Sequence, residues 1–220
     1  MNNLDPAQLK LSVSEFVKAL NLSPIPELYG VTDGKAVGTF IEHRFLRFLR
    51  GRYAFVAGSS ASGIDFPELK VDLKVTSIRQ PQSSCPYRDA SQKVYGLGYH
   101  LLVLVYDKRD DEAAKCAVLE FRNVVFISSE RTADYQTTLG LREILRRNGN
   151  KDDVIAFLEE RSLPLDEIGR EALASRILQE PPQQGYLTVS NALQWRLQYG
   201  RIVSLVNSRE VVEGVESLLA

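Results

Sequence analysis

Residues 71–76 alternate without a break. Val71, Leu73 and Val75 are β-branched or apolar, and Asp72, Lys74 and Thr76 between them are polar. Successive side chains on a strand point to opposite faces, so this run specifies a β-strand with one face for a core and the other carrying Asp72 beside Lys74. Asp65 is held nearby by the preceding turn, where Pro67 restricts the backbone. Two carboxylates and an ammonium brought together are costly unless they serve one another or a cation. Carboxylate oxygens suit a hard divalent ion such as Mg²⁺. An ammonium beside such an ion can orient or deprotonate a water, while the ion offsets charge on a phosphate. These are the parts needed to hydrolyse a phosphodiester.

Asp65, a gap of six residues, and then Asp72-Leu73-Lys74 resemble the signature of the PD-(D/E)xK restriction-endonuclease-like nuclease superfamily. The gap is similar to that of MutH-like nicking endonucleases and their type II restriction endonuclease relatives. Glu68-Leu69-Lys70 is a second acid-x-Lys tripeptide in the same period. Glu68, however, follows Pro67 directly and belongs to the turn, whereas Asp72 and Lys74 are flanked by the strand residues Val71 and Val75.

Upstream, Val37, Ile41, Phe45, Phe48 and Leu49 follow helical spacing, with Thr32 or Asp33 available as the cap. Glu42 sits at the edge of that stripe. The resemblance implies that it is the inward helix glutamate assisting metal or water in some members. The alternative is a surface glutamate paired with Arg44 or a residue one turn away. Downstream, residues 88–96 can form a short helix, 99–106 read as a fully buried strand, and 115–128 read as one or two further strands. The order helix, strand, strand, helix, strand, strand matches the α/β (α+β) fold the resemblance implies: a central mixed sheet flanked by helices.

Three regions are expected: an amino-terminal helix (6–20) and Pro-broken linker over 1–34, a catalytic core over 35–134, and a helical region over 135–220 for DNA contact or dimerisation. In the last region the spacing predicts helices over 139–147, 152–161, 166–178 and 189–207, with a break at Pro181-Pro182-Gln183-Gln184-Gly185.

A net charge of −1 is low for a chain that binds a polyanion, but the charge is unevenly spread. Residues 35–52 hold five basic side chains and one acid, and residues 186–209 hold Arg196, Arg201 and Arg209 with no acid. Local sign decides where phosphates dock. Neither Cys85 nor Cys116 has metal-site spacing, and both read as reduced thiols of a cytoplasmic protein. No apolar run approaches a membrane span. His43 lies on the arginine-rich helix and His100 opens the buried strand; no nucleophile elbow, phosphate loop or dinucleotide fingerprint is present.

The resemblance therefore implies a Mg²⁺-dependent endonuclease of double-stranded DNA, with Mn²⁺ able to substitute, most like a sequence-specific type II restriction enzyme. Asp65 and Asp72 would hold the metal, Lys74 would act on the attacking water, and Glu42 would support. Arg79, Gln80 and Gln82, in the loop after the strand, have the donor and acceptor geometry for base edges. Gln92, Arg196 and Arg201 are further candidates for DNA contact. Cutting both strands of a palindrome calls for a homodimer. The alternatives are a DNA-repair nuclease or nickase of the same fold, and a non-catalytic DNA-binding protein on a nuclease-like scaffold. An intact Asp/Asp/Lys set argues against the second.

Overall fold

The computed structural model describes residues 2–58, 63–86, 88–190 and 195–219. The helices are α1 (Pro6–Leu20), α2 (Gly34–Arg50), α3 (Gln92–Tyr95), α4 (Tyr135–Arg146), α5 (Lys151–Glu160), α6 (Glu167–Gln179) and α7 (Gly200–Asn207). The strands are β1 (Asn2–Asn3), β2 (Pro24–Ile25), β3 (Tyr53–Ala54), β4 (Val71–Ser77), β5 (Gln82–Cys85), β6 (His100–Asp111), β7 (Cys116–Ile127), β8 (Thr188–Val189), β9 (Trp195–Gln198) and β10 (Val215–Ser217). Packing divides the chain into two compact units, each discontinuous in sequence. One comprises 1–82, 100–127 and 205–220; the other comprises 83–99 and 128–204.

The first unit is built on a mixed sheet of order β10-β7-β6-β4, with β2 also paired to β7. β4 runs parallel to β6, and β6 runs antiparallel to β7. The mixed sheet flanked by helices is the architecture expected from the sequence. One sheet face packs against α1 and α2. Leu9, Val13 and Phe16 of α1 and Val37, Ile41 and Phe45 of α2 share a core with Val71, Leu73, Leu102 and Leu104. Both helix starts are written in the sequence. Asp5 caps α1 through a reciprocal box with Gln8, and Asp33 caps α2 by accepting the Lys35 N–H. Gly38 lets α2 lie close on β4, because a Cβ there would stand 3.3 Å from the Val75 carbonyl oxygen. On the other sheet face Leu101, Val103 and Val105 are equally buried, so β6 is covered on both sides, as its unbroken apolar run requires. The Pro-broken segment supplies β2, whose Pro24 has no N–H and is tolerated on an edge.

The second unit is a helical cluster, α3 to α6, around Val94, Leu141, Val154, Leu158, Ala174 and Ile177, with a small three-stranded sheet of order β5-β9-β8. The helix predicted over 189–207 is a correction. Residues 188–189 and 195–198 are strands, and only 200–207 are helical; residues 191–194 lie outside the described residues. Arg196 and Gln198 are exposed while Leu197 and Tyr199 are buried. That is period 2, and it overrides the coincidental helical spacing of Leu193 and Leu197.

Candidate active site

Asp65 is brought to β4 by a tight reversal. Pro67–Leu69 form a single 3₁₀ turn, and Lys70 closes it in the left-handed region at φ 51°. Phe66 and Val71 then exchange backbone hydrogen bonds of 2.9 and 3.1 Å. Leu73 N–H donates to Asp65 Oδ2 at 2.9 Å, which ties the carboxylate to the strand two residues above the turn. The Phe66 side chain is buried against Phe45 of α2, ring centroids 6.4 Å apart, and Phe55, at 5.8 Å. Behind Asp65, Gly58 N–H donates to the Asp65 carbonyl oxygen at 2.8 Å. A Cβ at Gly58 would stand 1.8 Å from the Ile64 carbonyl oxygen, so the two segments meet only because this residue is glycine.

Asp72 and Lys74 lie on the same face of β4, in register with Leu101 and Val103 of β6. Lys74 Nζ is 2.8 Å from Asp72 Oδ2. The contact is a buried ion pair, with the Asp72 carboxylate facing both the Lys74 ammonium and the Asp65 carboxyl. Burial pushes the Asp72 carboxyl up to about 7; Lys74 pulls it down, and the adjacent Asp65 carboxyl adds to the rise. Burial alone would lower Lys74, but the charges of Asp72, Asp65 and Glu42 outweigh it and hold the ammonium above its ordinary value. Glu42, half-buried on α2, is raised by burial and by Asp65, against the pull of Lys74. The four residues named from the sequence thus form one electrostatic cluster within one unit.

The donors fit a hard cation. Asp72 and Asp65 set two carboxyl groups side by side, which a cation would bridge at less cost than one lysine can. Among the described residues, no group of three or more His, Cys, Asp or Glu is gathered to hold an ion by itself. Two carboxylates with the remaining positions left to water and phosphate oxygens is the manner in which Mg²⁺ is usually bound. Glu68 is exposed within the 3₁₀ turn, apart from the ladder that begins at Val71.

In the loop after β4, Arg79 and Gln80 are exposed; Gln82, expected in that loop, instead opens β5 and is half-buried. Gln92 is buried rather than on a helix surface: its Oε1 accepts the Arg88 N–H at 3.0 Å, and its Nε2 has no hydrogen-bond partner. Arg196 is exposed on β9, and Arg201 at the start of α7 lies over the Tyr135 ring at 3.6 Å. These last three belong to the second unit. Thr76, the third polar residue of the β4 face, was not singled out from the sequence. Its signal is the same period of two that marked Asp72 and Lys74.

The type II restriction enzyme NspV family model matches residues 3–217. The chain belongs to the NspV family of type II restriction enzymes. The type II restriction enzyme NspV of Nostoc sp. (strain ATCC 29411 / PCC 7524) is 57% identical over 195 residues, covering 89% of each chain. No solved structure matches. Membership makes this chain a restriction endonuclease, a hydrolase of DNA. No helix among the described residues is long and apolar enough to cross a membrane. Cys85 and Cys116 are both buried, and neither is in a disulfide.

Proposed function

We propose that this restriction endonuclease is a member of the PD-(D/E)xK superfamily that cuts double-stranded DNA with Mg²⁺, Mn²⁺ substituting, at a site set by residues of this same chain. The observation that carries the reading is the buried Asp72 carboxylate, its Oδ2 2.8 Å from Lys74 Nζ, beside an Asp65 carboxylate tied to the backbone of the same strand. Asp65 and Asp72 would hold the ion. An ion held there would supply a nucleophilic water and offset charge on the phosphate. Lys74, held protonated beside its carboxylates, would donate from Nζ to the attacking water and to a phosphate oxygen. It aims the nucleophile and opposes the charge that develops in the transition state. Glu42 supports from α2 by holding the ammonium and the water in place.

Arg79 and Gln80 in the loop after the catalytic strand, and Gln82 at the start of β5, read base edges. Arg196 and Arg201, exposed in an acid-free stretch, add DNA contacts, while the buried Gln92 supports its own segment by accepting the Arg88 N–H. The enzyme acts as a homodimer, because two active sites related by a two-fold axis cut both strands of a palindrome. Two reduced thiols fit a cytoplasmic location.

The test is cleavage of plasmid DNA with Mg²⁺, followed by mapping of the ends. The reading expects double-strand breaks at one short sequence, none in EDTA, and none with Asp72→Asn. Cutting that persists in EDTA would overturn the metal assignment.

A further inference from the structure

The polar face of β4 continues past the catalytic pair to Thr76, which is 5% exposed. Thr76 Oγ1 accepts the Gln82 N–H at 3.1 Å. The same oxygen lies 3.1 Å from the Gln82 carbonyl oxygen and 3.3 Å from that of Gln80, either of which can take its proton. A hydroxyl offers one proton and two lone pairs, so most of what Thr76 can bond is spent on one loop. Ser77, next along the strand, holds the other side of that loop. Its carbonyl oxygen accepts the Gln80 N–H and its Oγ accepts the Arg79 N–H, each at 3.3 Å. Ile78 N–H still donates to Tyr106 in the ladder, at 2.8 Å. The backbone of residues 77–82 is therefore fastened to the end of the catalytic strand, and within it only Arg79 and Gln80 are exposed.

We propose that Thr76 is a positioning residue for sequence discrimination. Its hydroxyl fixes the loop carrying Arg79 and Gln80 to the strand carrying Asp72 and Lys74, so that base contact and catalytic alignment are made together. The proposal rests on the reading of this loop as the base reader. Long side chains read a base edge bidentately only from a fixed backbone, and a loop whose amides are already bonded loses little freedom on binding. Valine at position 76 keeps the β-branched shape a strand favours and removes the hydroxyl, leaving the Gln82 N–H without its acceptor. Serine keeps the hydroxyl.

The experiment compares kcat/KM on a duplex bearing the mapped site with kcat/KM on duplexes changed at one base pair. It uses wild type, Thr76→Val, Thr76→Ser, Arg79→Ala, Gln80→Ala and Thr76→Val/Gln80→Ala, with melting temperatures alongside. Thr76→Val is expected to lower the ratio of the two rates about tenfold or more, while Thr76→Ser stays within about threefold of wild type. The double variant is expected to lose no more discrimination than the worse single variant, since both act through one loop. If Thr76→Val does not fold, Thr76→Ala removes the same hydroxyl. Discrimination lost in Arg79→Ala or Gln80→Ala but intact without the Thr76 hydroxyl overturns the role of Thr76. An equal loss of rate on matched and changed sites does the same, because it reports only a weakened fold. Discrimination intact in both Arg79→Ala and Gln80→Ala overturns the loop as base reader, and the proposal with it.

Discussion

Lys74 Nζ lies 2.8 Å from Asp72 Oδ2, with the lysine side chain 20% exposed and the aspartate 4%. The two residues are separated by one position on a strand whose alternation alone puts them on one face. Burying such a pair has consequences that can be measured with and without metal.

In metal-free protein, stability should fall as pH rises from about 4 to about 7. Burial raises the Asp72 carboxyl from 3.8 to about 7 in the folded state. The folded chain therefore binds that proton more tightly than the unfolded chain. The stabilisation is full below the unfolded value and is lost as pH climbs through the folded one, at up to about 1.4 kcal/mol per unit. Lys74, raised above 10.5, stays charged throughout this window. Thermal melts in EDTA at pH 5 and pH 8 check this. Asp72→Asn should flatten the difference, and an unchanged pH slope in that variant would contradict the burial argument.

Added Mg²⁺ should raise the melting temperature most near pH 8, where Asp72 is ionised, and a ligand at a hundred times its Kd adds about 2.7 kcal/mol. Asp65→Asn and Asp72→Asn should each remove the shift. A full shift in either variant would place the ion elsewhere.

Gly58→Ala should destabilise the protein by roughly 3 kcal/mol or more, because a Cβ has no room against backbone. The carbonyl it would strike is that of Ile64, 1.8 Å away, directly before Asp65. Urea unfolding measures the loss, and cleavage should fall with it. A midpoint equal to wild type would mean that the 58–65 contact is not made.

Glu68→Gln should keep cleavage within about tenfold of wild type, a barrier change of about 1.4 kcal/mol. Glu68 is exposed in the 3₁₀ turn and outside the ladder. Loss of cleavage by orders of magnitude would mean that the active acid lies four residues earlier than assigned.

Much of this was legible from local pattern. The strand carrying Asp72 and Lys74 announces itself by period 2, and α2 by its 3–4 spacing and Asp33 cap. What escaped depends on distant partners. β8 and β9 are two and four residues long and exist through pairing with each other and with β5, far away in sequence. The discontinuity of the units follows from β4 pairing parallel with β6, which forces the chain to leave the sheet and return. The Thr76 clamp joins a side chain to backbone up to six residues on, a contact that no hydrophobic periodicity encodes.

The central claim is that Asp65, Asp72 and Lys74 form the metal-dependent cutting site, and single-turnover cleavage of a duplex bearing the mapped site tests it most directly. Lys74→Ala and Asp72→Asn should each slow the chemical step by orders of magnitude in saturating Mg²⁺. Lys74→Ala should still bind the duplex, measured by fluorescence anisotropy, within a few-fold of wild type. Cleavage by Lys74→Ala at the wild-type rate would contradict the assignment.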